Sequence, residues 1–245
     1  MNQIKKIVLT GGPCAGKTTA MVKVIEHFSS LGYKVFTIPE VPTMFTQAGM
    51  NYLTSNKDFF FEGEKATFQT QINLEDSFQR MAETLQQPVI IVCDRGTMDI
   101  STYLTPDFWN RIISEEGYTN SQLRNRYDAV LHLVSAADGA EQFYTTANNA
   151  QRLEQADEEG LKIARELDKK IVSAWKGHPH LKRLDLNLIA AKFHFAEVLL
   201  INRKMKLFLA QNLFCAQRVK GRCSLQGIGD RVPKVFLISV SSSWK

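Results

Sequence analysis

The chain opens on a short apolar, β-rich run at residues 4–10 that ends in a glycine-rich turn. Beyond it, apolar side chains recur at Ala20, Met21, Val24, Ile25 and Phe28, the spacing of one helix face, which predicts a helix over 17–30. Residues 33–38 read as a second strand, closed by Pro39-Glu40-Val41-Pro42. Residues 43–61 are mixed and turn-rich, and 62–86 form a long polar–apolar helical stretch stopped by Pro88. Residues 89–93 are apolar at every position and 129–134 nearly so, which suits strands buried on both faces of a parallel sheet. Helical patterns at 98–103 and 108–113 lie between them. A polar segment at 136–149, a charged helix over roughly 152–175 and a fifth strand at 181–186 complete the pattern. Strands alternating with helices predict an α/β fold: a doubly wound, parallel, five-stranded sheet with helices on both faces, since each parallel crossover needs a covering helix.

Composition changes this picture in one place. The chain has 245 residues, 44% hydrophobic and 22% charged, which is ordinary for a globular protein. Its net charge of +5 is unevenly spread. Residues 192–245 hold ten Lys/Arg against Glu197 and Asp230, or +8, while the remainder holds 20 against 23, or −3. The basic character therefore belongs to the tail, and no nucleic-acid partner is expected for the body. A boundary near Asn187 divides residues 1–187 from a basic segment, 188–245. That segment is open to three readings: an alternative C-terminus, a basic amphipathic element meeting acidic lipid, or an ordinary closing helix and strand. The N-terminal residues lack a signal-peptide pattern, and no apolar run approaches the ~20 residues of a membrane span. A cytoplasmic protein is expected, with peripheral membrane contact as the variant the tail allows. Cys14, Cys93, Cys215 and Cys223 have neither metal nor disulfide spacing and are expected to be plain thiols.

Gly11-Gly12-Pro13-Cys14-Ala15-Gly16-Lys17-Thr18 fits GxxxxGK[ST] without a gap, between a strand and an amphipathic helix. Glycines let backbone N–H groups turn inward around a phosphate, and the helix start adds its positive dipole end. Gly11 through Gly16, with Thr19, are expected to cradle the phosphates. Lys17 is expected to reach the outer phosphate oxygens, and the Thr18 hydroxyl to ligate Mg2+. Asp94 follows the 89–93 strand directly, so the sheet should deliver it beside this loop as the second metal-binding residue. Arg95 is then placed to meet a phosphate or an acceptor. The alternative for these two is a strand-ending Asp-Arg-Gly turn with a surface ion pair.

A P-loop, a second strand ending in Glu40-Val41-Pro42, a helix carrying Phe68-Gln69, and Asp94-Arg95-Gly96 together resemble the nucleoside-kinase-like branch of P-loop proteins. The resemblance implies Glu40 as base for the acceptor hydroxyl and Gln69 as reader of the acceptor's base. Against these stand a solvated loop acid and an ordinary helix-surface residue. The run from Lys6 to Thr19 is similar to the AAA-type domain shared by NadR nicotinamide-riboside kinases and TRPL translocation defect proteins. Two further stretches, 131–141 and 174–181, are similar to the second group, and the likeness spans residues 4–187. It implies guanine nucleotide, phosphoinositide binding and a role in protein trafficking. Residues 136–160 would form a kinase-like lid, with Arg152 at its edge, and Arg165 beyond it, as candidates to neutralise transferred charge; surface ion pairing is their alternative. Two function classes follow, and the resemblance favours the first: a module that binds GTP or ATP in trafficking, with a small-molecule kinase using Glu40 as the alternative.

Overall fold

The computed structural model describes residues 3–144 and 157–184, all within one compact unit, Met1–Ile201. Five parallel strands form a single sheet: β1 (Ile4–Gly11), β2 (Lys34–Ile38), β3 (Val89–Asp94), β4 (Ala129–Leu133) and β5 (Leu181–Leu184), in the order β2-β3-β1-β4-β5. The sequence order and the spatial order differ because every connection crosses over through a helix. Strand β1 is central, paired with β3 (Leu9 beside Asp94) and with β4 (Gly11 beside Leu133). The loop after β1 therefore opens between its two neighbours, where ligands of such sheets bind.

Alternation along the strands divides the core into two faces. Val8, Ile91, Cys93, Val130 and Ile38 share one cluster with Phe61, Phe68 and Ile72 of α3 (Lys57–Glu83) and Trp175 of α7 (Glu158–Trp175). On the other face Ile7, Leu9, Ile90, Val92 and Leu131 are buried, and α1 (Lys17–Ser30) buries Ala20, Val24 and Phe28. The five predicted strands and the doubly wound parallel sheet are thus present.

Two helices were not predicted. Helix α2 (Val41–Gln47) falls where the sequence reads as turn, because Pro42 marks a chain break by pattern yet suits a helix's first turn, where its missing N–H costs nothing. Short α6 (Asn120–Arg124) carries too few turns for a periodic signal and is held by the Thr119 cap. Helix α3 starts earlier than expected, at Lys57, because the Asn56 side chain accepts the Phe59 N–H at 3.1 Å and fixes its first turn. The 98–103 pattern becomes α4 (Thr97–Ile100) with a 3-10 turn, and 108–113 becomes α5 (Pro106–Glu115). Helix α7 begins at Glu158, capped by Asp157. Residues 145–156, which include Arg152 and the middle of the expected lid, and everything after Leu184, including Asn187, Cys215, Cys223 and the basic tail, lie outside the described residues.

Candidate active site

The loop after β1 is built for close approach. A Cβ on Gly11 would sit 2.1 Å from the Leu133 carbonyl oxygen, and Gly11 has φ +145°. Gly16, at φ 74°, starts α1 from a left-handed conformation, and Cys14 shares that region at φ 55°. Such alternation turns successive N–H groups inward as an anion-binding nest. The structure narrows the phosphate cradle drawn from sequence. The Gly12 N–H donates to Asp168 Oδ1 at 2.9 Å, and Pro13 has no N–H and accepts from Ser135 Oγ at 2.5 Å. Neither group is therefore turned toward a phosphate, and the N–H groups at the start of α1 are the ones placed to meet it. Thr18 and Thr19 are exposed there.

Asp168, from α7, was not singled out from the sequence. It also takes the Ser135 N–H at 3.3 Å and His132 Nε2 at 3.1 Å. Burial works against its charge, yet the His132 hydrogen bond and the N–H donors hold its carboxyl below the ordinary range. Asp99 is a second such residue: it accepts from Thr10 Oγ1 at 2.6 Å, Trp175 Nε1 at 2.9 Å and the Gly96 N–H at 2.8 Å. Both carboxylates brace the phosphate loop from either side. Neither lies in a recognisable motif, so only their convergence in space marks them.

Asp94, Glu40 and Arg95 come together around Lys17. Burial raises the Asp94 carboxyl above its ordinary range, against the pull of Lys17, and its Oδ1 is buried without a hydrogen-bond partner. Next to it, Arg95 holds φ 66°, a conformation a residue with a side chain adopts only under compensation. The compensation is visible: its N–H donates to the Leu9 carbonyl at 3.0 Å, and its guanidinium pairs with Glu40 Oε1 and lies 5.8 Å from the Tyr103 ring centre. Glu40 Oε2 accepts from Thr43 Oγ1 at 2.7 Å. Although burial would raise it, Arg95 and Lys17 hold the Glu40 carboxyl down at about 2. Lys17 enters no ion pair among the described residues; burial, helped by Arg95, lowers it to about 8. A desolvated, uncommitted ammonium beside an unpartnered carboxylate oxygen fits a phosphate with a divalent cation.

These side chains border one cleft of about 390 Å³. It runs from Pro13 and Lys17 past Glu40 and Arg95 to an α3 face carrying Phe60, Glu64, Thr67 and Gln71, with Tyr52 against Thr67 and with Leu53 and Tyr103 also in its lining. Gln69 is corrected here. It is exposed and donates to Glu116 Oε1 at 2.8 Å, away from the cleft. Two residues on a helix are about 200° apart, so Gln71, and not Gln69, faces the cleft with Glu64 and Thr67. Arg165 is likewise committed elsewhere, donating to the Ala137 carbonyl at 2.6 Å and to Glu141 at 3.1 Å. His178 lies in the turn before β5, with Nε2 on the Tyr127 carbonyl at 2.9 Å.

A parallel sheet with its central strand leading through GxxxxGK[ST] into a helix defines a P-loop nucleotide-binding protein. The chain belongs to the AAA domain family, whose model matches residues 6–186. Among solved structures it is similar to deoxyadenosine kinase from M. mycoides with bound dATP, at 18% identity and a TM-score of 0.43, over 82% of this chain and 99% of that one. No curated protein matches the sequence. No helix among the described residues is long and apolar enough to cross a membrane.

Proposed function

We propose that the protein is a kinase that transfers the terminal phosphoryl group of ATP or GTP to a hydroxyl of a small, nucleoside-like acceptor. One observation carries this reading: a single cleft joins the phosphate loop, the Glu40–Arg95 pair and a polar face of α3, so donor and acceptor sites are contiguous. A nucleotide switch needs no such second compartment. The trafficking and phosphoinositide reading rests on resemblance and on the basic tail, and nothing in the described residues favours it.

In this reading the N–H groups at the start of α1, from Gly16 to Thr18, and the Lys17 ammonium hold the β- and γ-phosphates. Thr18 and Asp94 are the residues to hold Mg2+, which when bound neutralises charge on the transferred group. The acceptor oxygen forms a bond to the γ-phosphorus as the bond to the β-γ bridging oxygen breaks, and the nucleoside diphosphate leaves. The hydroxyl proton passes to the Glu40 carboxylate and then to water. Held at about 2, Glu40 is a weak base. Its main contribution is to orient the hydroxyl, the proton moving late in a loose transition state. Arg95 keeps Glu40 ionised and adds positive charge near the transferred group.

Transfer of labelled γ-phosphate to a panel of nucleosides is the direct test. Glu40→Gln is expected to keep ATP and GTP binding and to lower kcat by ~10²–10⁴. Lys17→Ala is expected to abolish triphosphate binding. No transfer to any nucleoside, with hydrolysis alone observed, would sink the kinase reading.

A further inference from the structure

The α3 wall of the cleft has an unusual hydrogen-bond inventory. The Thr67 hydroxyl spends its proton on the Gly63 carbonyl at 2.8 Å, so the Tyr52 hydroxyl, 2.7 Å away, must donate to Thr67. Both hydroxyl protons are thereby used within the wall. Gln71 directs its amide nitrogen to Glu75 Oε1 at 2.9 Å. That assignment is forced, because Glu75 Oε1 already receives the Tyr127 hydroxyl at 2.6 Å, while Arg126 at 3.0 Å and Lys6 at 3.5 Å bind its other oxygen. Gln71 is left with its carbonyl oxygen and one N–H to offer. Glu64 is 6% exposed, lines the cleft and has no hydrogen-bond partner among the described residues.

We propose that Glu64 is the specificity-determining residue of the acceptor subsite and that, with Gln71, it selects an acceptor bearing N–H donors at the end remote from its reacting hydroxyl. Glu64 gives this wall an unpartnered carboxyl, and an N–H donor on the ligand is the group that completes its ionised form. The carboxyl oxygens meet the cleft rather than a protein donor, so a ligand that displaces solvent from them must supply the donor. Burial alone pushes Glu64 up to about 7, and an N–H or cationic nitrogen facing it would restore its ionised form. Glu64 and Gln71 stand seven residues apart on one helix face, about 10 Å along its axis, a span suited to a ring and its substituent. Phe60 and Leu53 supply the apolar surface such a ring needs. Binding-site discrimination of this kind is strong because the wrong ligand leaves buried acceptors unpaired.

This inference rests on the kinase reading for the word acceptor, yet its test does not need turnover. Calorimetric binding to the full chain is measured for adenosine, cytidine and nicotinamide riboside. Each is paired with the analogue in which the amine or carboxamide is replaced by hydrogen. At least one donor-bearing member is expected to bind tenfold or more tighter than its partner, and Glu64→Leu to erase that preference. Glu64→Gln, which keeps an acceptor oxygen, is expected to retain a reduced preference and covers the case in which Leu impairs folding. Equal binding within every pair, no binding by any member, or an unchanged preference in Glu64→Leu would overturn the proposal. Discrimination without phosphoryl transfer would instead remove the kinase reading and leave the subsite. Transfer without discrimination would do the reverse.

Discussion

Lys17 shows what a residue in this site is prepared for. Its ammonium is desolvated, next to Arg95, and reaches no carboxylate closely enough to pair, so burial lowers it to about 8. An arriving triphosphate binds the protonated form and raises that value again. Affinity for ATP or GTP should therefore hold steady up to about pH 8 and weaken by up to tenfold per unit above it. Titration calorimetry between pH 7 and 9.5 should also find proton uptake on binding at the alkaline end. A flat affinity across that range would show that Lys17 stays charged without the ligand. The same scale explains why Glu40 could be named from sequence and Gln71 could not. Glu40 was singled out by the family resemblance, and it lies two residues beyond β2, where the chain direction fixes its position at the sheet's carboxyl edge. Gln69 and Gln71 differ only in helix register, and a two-residue offset reverses the face.

At the scale of elements, α7 is tied to the phosphate loop through Asp168. That one carboxylate serves Gly12 of the loop, Ser135 after β4 and His132 within β4. A Cβ on Gly12 would lie 2.8 Å from its Oδ1, so the contact is as close as backbone permits. Removing it by Asp168→Ala leaves buried N–H groups and the His132 ring unserved, which should cost roughly 2–4 kcal/mol in denaturant unfolding. Triphosphate affinity should fall with it, since the loop loses its brace. The carboxyl is held below its ordinary range, so its stabilisation is present at neutral pH. It is lost as pH falls below about 4. Stabilities of parent and mutant should converge in acid, and a constant difference down to pH 2 would argue against this assignment. Helix α3 is bound to the sheet in the same manner, by Glu75 meeting Lys6, Arg126 and Tyr127, which frees its neighbouring face for the cleft.

Among the described residues the fifth strand of the sheet ends at Leu184, and every side chain proposed to touch nucleotide or acceptor lies between Lys17 and Arg95. We propose that the basic segment from Lys192 onward is a separate addition. Truncation after Ala191 should leave triphosphate affinity within a factor of a few, measured by calorimetry. A loss of binding would show that the tail completes the fold. The sequence by itself determined the sheet, its parallel sense, the phosphate loop and the meeting of Asp94 with that loop. Those features are written in local periodicity and in a contiguous motif, and strand ends of a parallel sheet converge on one edge whatever the side chains do. Only the tertiary structure decided that Glu40 is clamped by Arg95, that Gly12 answers to Asp168, and that Glu64 and Gln71 face the cleft. Each depends on helix register or on residues as much as 156 positions apart, and their pairing is fixed by packing that no local pattern records.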